Sequence, residues 1–176
     1  MTSPLVILGH GASGTAASMR PWVDGLAAHG LEAVALDLPH GRAERAVAVV
    51  EAAMAAALGA VVPGGHSFGG RVASLAAARR LEDGAAVAGL LLFSYPLHRP
   101  GDPAGWVERT AHWPSLRCPV LLLSGESDPF ARLALLREAV GLLPDGHLVT
   151  YPRVGHGLAP VLDDALMRAV EFVESL

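Results

Sequence analysis

Short, wholly apolar runs alternate along the chain with Ala-rich stretches in which apolar residues recur at helical spacing. That rhythm predicts repeating βα units and a mostly parallel sheet with helices on both faces. Only strands buried on both sides read as unbroken apolar runs. Residues 5–8 predict the first strand, which leads straight into His10-Gly11-Ala12-Ser13-Gly14. A helix over 19–28 follows, with Gly30 as its stop, because glycine takes the left-handed conformation that ends helices. Residues 32–36 predict the second strand, 43–58 a long helix, 60–63 a short third strand and 72–81 the next helix. The runs 89–93 and 120–123 are apolar throughout and predict central strands. A helix over 133–140, a last strand over 147–151 and a closing helix over 162–174 complete the series. The one long irregular stretch, 94–116, is rich in Pro and Gly and contains Trp106 and Trp113. Long loops in compact domains disproportionately carry function.

The chain has 176 residues, enough for one domain over 1–176 with one sizeable core. Apolar residues make up 52%, yet no uninterrupted run reaches the roughly 18–20 residues of a membrane span. No basic stretch followed by a long apolar run opens the chain, so no signal peptide is expected. The expectation is a soluble, cytoplasmic protein without a membrane span. Net charge is −4 and the charges are scattered, which argues against a nucleic-acid partner, since phosphate contacts need concentrated positive charge. Cys118 is the only cysteine. An internal disulfide is therefore impossible, and the residue reads as part of the core. No H-E-x-x-H pattern or Cys/His cluster occurs, so no metal or cofactor is expected.

Gly65-His66-Ser67-Phe68-Gly69-Gly70 fits G-x-S-x-G. In this pattern a sharp strand-to-helix turn holds a nucleophilic serine in a strained conformation, with near-bare neighbours two residues to either side. The helix that follows offers N–H groups and a dipole to developing negative charge. The same letters could form a plain Gly-rich turn; their place between an apolar run and an Ala-rich helix favours the elbow. A serine hydroxyl needs a base, and the base needs an orienting carboxylate. Asp128, in Gly125-Glu126-Ser127-Asp128-Pro129-Phe130, follows the strand at 120–123. His156, in Val154-Gly155-His156-Gly157, follows the last strand. Loops at the carboxyl ends of parallel strands share one edge of the sheet, so Ser67, Asp128 and His156 are expected to meet there. Glu126 is the rival acid. Asp128 is preferred because it lies farther into its loop. Asp128 as a helix cap and His156 as an exposed loop histidine are the plainer alternatives.

All thirteen basic residues are Arg, and the chain has no Lys, Asn or Gln. A Schiff-base lysine and a P-loop lysine are thereby excluded. An oxyanion hole, if present, cannot use a side-chain amide; the backbone N–H groups of Ala12 and Phe68 are the expected donors. His10 reads mainly as a shaper of that loop, with a substrate contact as a further possibility. Tyr95, Trp106 and Trp113 read either as walls of a substrate pocket or as core residues, and Arg99 reads first as a solvated surface arginine, with contact to an anionic substrate as the alternative.

Taken together, His10-Gly11-Ala12-Ser13, the Ser67 elbow and the Asp128 and His156 loops resemble the α/β-hydrolase superfamily across essentially the whole chain. Ser94-Tyr95-Pro96-Leu97-His98-Arg99-Pro100-Gly101 and the Asp128 loop are similar to a small capless branch. That branch resembles dienelactone hydrolases and includes testis-expressed protein thirty and the third subunit of the NSL histone-acetyltransferase complex. The resemblance implies a three-layer α/β/α sandwich on a six-stranded sheet ordered 2-1-3-4-5-6, without a lid. The chain departs from the superfamily pattern in lacking the usual two antiparallel strands at the start. The implied activity is hydrolysis of a small carboxylic ester or thioester through an acyl-enzyme. A catalytically silent binding or scaffold protein, and a peptidase or acyltransferase on the same triad, are the alternatives. Oligomeric state is not legible.

Overall fold

A computed structural model describes residues 3–176. Six strands, β1 (Leu5–Gly9), β2 (Ala33–Leu36), β3 (Val61–His66), β4 (Leu90–Phe93), β5 (Val120–Gly125) and β6 (Gly146–Tyr151), form one sheet in the order β2-β1-β3-β4-β5-β6. Every neighbouring pair is parallel. The helices are α1 (Arg20–Ala28), α2 (Ala43–Ala56), α3 (Phe68–Glu82), the short α4 (Trp106–Arg109), α5 (Leu133–Val140) and α6 (Leu162–Glu174). No cap domain is inserted among the described residues.

Alternation along each strand sends neighbouring side chains to opposite faces. Val6, Leu8, Leu91, Phe93, Leu121 and Leu123 pack on one face with Trp22 and Leu26 of α1 and Ala165, Ala169 and Phe172 of α6. Trp22 stacks on Phe93 with ring centroids 3.9 Å apart. On the other face Leu90, Leu92, Val120 and Leu122 meet Ala73 and Ala77 of α3 and Leu136 of α5. Ile7 and Val61 meet Val72 of α3 and Val47, Val50 and Met54 of α2. Each large aliphatic side chain buried in this way contributes about 1.5–3 kcal/mol relative to exposure, so the unbroken apolar runs serve both layers at once.

The structure departs from the expectation at both ends of the serine turn. The third strand does not stop at Pro63 but continues to His66. The next helix begins at Phe68, four residues before the expected start at Val72. Proline and glycine are poor strand and helix formers, so propensity hides both boundaries, and close approach to neighbouring strands imposes them. A β-carbon on Gly64 would run into Leu91 of β4. The 94–116 segment contains α4 flanked by two 3-10 turns.

Candidate active site

The turn from β3 to α3 carries Ser67 at φ 51° and ψ −115°, a left-handed conformation that costs an L-residue about 1–3 kcal/mol. Two contacts hold it there. The Ser67 N–H donates to the carbonyl of Phe93 at 2.8 Å. Gly65 and Gly69 press against the backbone of Gly9 so closely that a β-carbon on either would collide with the Gly9 carbonyl. The G-x-S-x-G spacing is thus a packing requirement between β3, α3 and β1.

Two loops beside the elbow bring the other side chains. The Nε2 of His156 lies 2.8 Å from the Ser67 hydroxyl oxygen, and its Nδ1 lies 2.8 Å from Oδ2 of Asp128. With Nδ1–H donating to the carboxylate, Nε2 is left free to accept the serine proton. The Asp128 side chain is fully buried and that of His156 is 24% exposed. The second carboxylate oxygen, Oδ1, accepts the Phe130 N–H at 2.8 Å. Glu126 points elsewhere and accepts the Thr150 hydroxyl at 2.8 Å. The two loops are laced together: Glu126 N–H donates to Tyr151 O at 3.0 Å and Ser127 N–H to Val154 O at 2.9 Å. Gly125 makes this possible, because a β-carbon there would overlap the carbonyls of Val154 and Gly155. Phe130 covers the imidazole of His156, with ring centroids 4.5 Å apart.

Phe68 follows the serine directly in the chain, and Gly11, the neighbour of Ala12, approaches the Ser67 side chain: a β-carbon on Gly11 would lie 3.9 Å from Ser67 Cβ. Phe68 is the first residue of α3, where backbone N–H groups have no partner within the helix. The Ala12 loop is tied on three sides to the turn after β2. Leu38 N–H donates to Nε2 of His10 at 2.9 Å, His40 Nδ1–H donates to Ala12 O at 2.7 Å, and Ala16 N–H donates to Asp37 Oδ1 at 2.7 Å. Gly9-His10-Gly11-Ala12-Ser13-Gly14 also has dinucleotide-fingerprint spacing. Here the helix begins only at Arg20, and the Asp37 carboxylate is engaged with Ala16, so the loop offers no helix terminus to a pyrophosphate.

The pocket expectations need correction. Tyr95 and Trp113 are not pocket walls: they are 1% and 0% exposed, part of the core beneath 94–116. Burial pushes the Tyr95 phenol up to about 12, and its hydroxyl donates to Arg109 O at 2.7 Å. His10 is 1% exposed and has both ring nitrogens occupied by backbone groups, so it braces its loop and does not face substrate. Trp106 is half-buried and packs against the same core as Trp113. A second Ser–His contact, Ser74 Oγ to His112 Nε2 at 2.8 Å, lies under α3, where Ser74 has no exposed surface.

Sequence reasoning missed His66 and His40. The Nε2–H of His66 donates to the carbonyl of His156 at 3.0 Å, and burial holds the His66 imidazole below its usual range. Both histidines act through backbone carbonyls of distant loops, and no local pattern marks such contacts. Among the described residues no group of three or more His, Cys, Asp or Glu side chains converges to hold a metal ion. No helix there is long and apolar enough to cross a membrane.

Residues 2–168 match the family model described as alpha/beta hydrolase domain. No curated protein matches the chain. Among solved structures, the chain is similar to Est1E from Butyrivibrio proteoclasticus, solved with ferulic acid bound. The TM-score is 0.81 at 18% identity, over 98% of this chain and 88% of that one. It is also similar to the monoacylglycerol lipase of Paleococcus ferrophilus, with a TM-score of 0.83 at 15% identity over 99% and 96% of the two chains. A third likeness is to one of the two metagenome-derived lipolytic enzymes LipS and LipT, with a TM-score of 0.81 at 17% identity over 99% and 95%. At these identities the likeness is one of fold.

Proposed function

The chain belongs to the alpha/beta hydrolase domain family, and on that premise we propose that it is a serine hydrolase of small carboxylic esters or thioesters. One observation carries the reading: an unbroken hydrogen-bonded line from the Ser67 hydroxyl through both nitrogens of His156 to the buried carboxylate of Asp128. Ser67 Oγ attacks the substrate carbonyl as its proton passes to His156 Nε2. Asp128 holds the imidazole in the tautomer that accepts that proton and stabilises the imidazolium that results. The backbone N–H groups of Phe68 and Ala12 receive the oxyanion; one such donor is worth about 3–4 kcal/mol in the transition state. His156 returns the proton to the leaving alcohol or thiol. A water then repeats the sequence on the acyl-enzyme, with His156 again as base, and frees Ser67 and a carboxylic acid. The compact 94–116 segment, with no cap domain inserted among the described residues, supports placement in the capless branch similar to dienelactone hydrolases.

A fluorophosphonate probe tests the proposal. It should label the wild-type protein on Ser67, label Ser67→Ala not at all, and compete with turnover of 4-nitrophenyl acetate. A folded wild type that stays unlabelled where a control esterase reacts would instead make this a binding protein on a hydrolase fold.

A further inference from the structure

Three arginines line one cleft, and one of them, Arg71, lies a helical turn beyond Ser67. Arg71, Arg99 and Arg109 line a small polar cleft of about 180 Å³, with Asp102, Gly105 and Glu108 completing its wall. Arg71 lies on α3, four residues after the serine. Arg99 and Arg109 come from the 94–116 segment, on either side of the turns that lead into α4.

Three arginines face two carboxylates in this cleft, and none of the arginines forms a close ion pair. The arginine–carboxylate ion pairs among the described residues engage Arg79 and Arg168, not these three. Asp102 and Glu108 border the cleft without coming within ion-pairing distance of its arginines. Arg109 is anchored by one N–H to Pro96 O at 2.6 Å, which leaves the rest of its five-donor fork available. Burial, and then the positive charges of Arg71 and Arg99, push the Arg109 guanidinium below its usual value. Like charges held together cost stability unless an anion lies between them. Planar guanidinium forks match the two-oxygen edge of a carboxylate or phosphate.

We infer that this cleft binds an oxyanion group, carboxylate or phosphate, carried by the substrate. This rests on the reading of Ser67 as nucleophile: the cleft then selects esters whose far end is anionic. Ser67 caps α3, and its carbonyl accepts the Arg71 N–H at 3.1 Å, so the two backbones lie one helical turn apart. A chain of a few carbons between the scissile carbonyl and the anion therefore suits the site, as in a glutarate monoester.

Two measurements on the full chain test the inference. In the first, glutarate and, separately, inorganic phosphate are titrated calorimetrically into the wild type, Arg71→Gln and Arg99→Gln at low ionic strength, with a melt to verify that each variant is folded. At least one anion should bind the wild type at least ten times more tightly than either folded variant, and added salt should weaken it. The stronger of the two identifies carboxylate or phosphate. In the second, kcat/KM is compared for mono-4-nitrophenyl glutarate and the neutral 4-nitrophenyl valerate. The wild type should favour the charged ester at least ten-fold if the tail is a carboxylate. That ratio should fall at least five-fold in Arg99→Gln, mainly through KM. Equal binding of both anions by wild type and folded variants overturns the cleft as an anion site. A wild-type ratio near one with arginine-dependent glutarate binding overturns the placement of the anion on the substrate. Arginine-dependent binding with no turnover of either ester supports the anion site and overturns the Ser67 reading.

Discussion

His66, one residue before the serine, holds the loop of His156 by its backbone: its Nε2–H donates to the His156 carbonyl across 3.0 Å. The elbow thus fixes the height of the imidazole independently of the Ser67–His156 contact. His66→Phe keeps an aromatic ring, somewhat larger than the imidazole, and removes the donor. We expect kcat for 4-nitrophenyl acetate to fall by about 10- to 100-fold, the scale of a small misplacement at a reacting centre. An unchanged kcat in folded His66→Phe would remove His66 as a positioning residue.

Asp128 and Glu126 separate cleanly by substitution. Asp128 meets Nδ1 of His156, whereas Glu126 is bonded to Thr150. Asp128→Asn should cost about 10⁴-fold in kcat, the scale for loss of the orienting carboxylate in a serine triad. Glu126→Gln should stay within a few-fold of wild type. The opposite ranking in steady-state assays would transfer the acid role to Glu126.

The glycines of the elbow are required by backbone, which cannot move aside as a side chain can. Gly69→Ala places a methyl on the Gly9 carbonyl and should lower stability by at least about 2–3 kcal/mol, toward the upper end for overpacked cores. Gly59→Ala meets nothing within 4 Å and should be neutral or gain about 0.4–1 kcal/mol. Urea midpoints of the two variants check the contrast; equal midpoints would refute it.

Acid should weaken the fold through His112. Burial, and secondarily the charge of Arg71, lowers its pKa from 6.5 to about 4. The unfolded chain therefore takes up this proton first. His112 contributes stability that is fully present above about pH 6.5 and is lost as pH falls toward 4. The shift corresponds to at most about 3 kcal/mol, less what remaining solvent access screens. Melting temperatures of wild type and His112→Gln between pH 7 and 4 should converge with acid; parallel curves would contradict the assignment.

The layers of the fold were legible because each central strand is apolar on both faces, as in 90–93 and 120–123, and each helix shows its own period. The meeting of Ser67, His156 and Asp128 was legible for a chemical reason. A serine nucleophile demands a base and an acid, and parallel strands put their following loops on one rim. Contacts between loops were not. His40 and His66 act on carbonyls of residues 12 and 156, and nothing near them in the chain announces those partners. Tyr95 and Trp113 were misplaced because an aromatic residue in a loop reads the same whether the loop frames a cavity or folds back over the core. The beginning of α3 was hidden by Gly69 and Gly70, whose weak helix preference yields to their fit against β1 and β3.

The order of the strands divides the chemistry between the halves of the polypeptide. Ser67 and its proposed oxyanion donors lie before the exposed Pro100–Gly101 turn, and Asp128 and His156 lie after it. Fragments separated at that turn would each be inert, and the proposed ester cleavage would return only when they reassemble with strand β4 beside β5. A split form of this protein would therefore report the association of any two partners fused to its pieces.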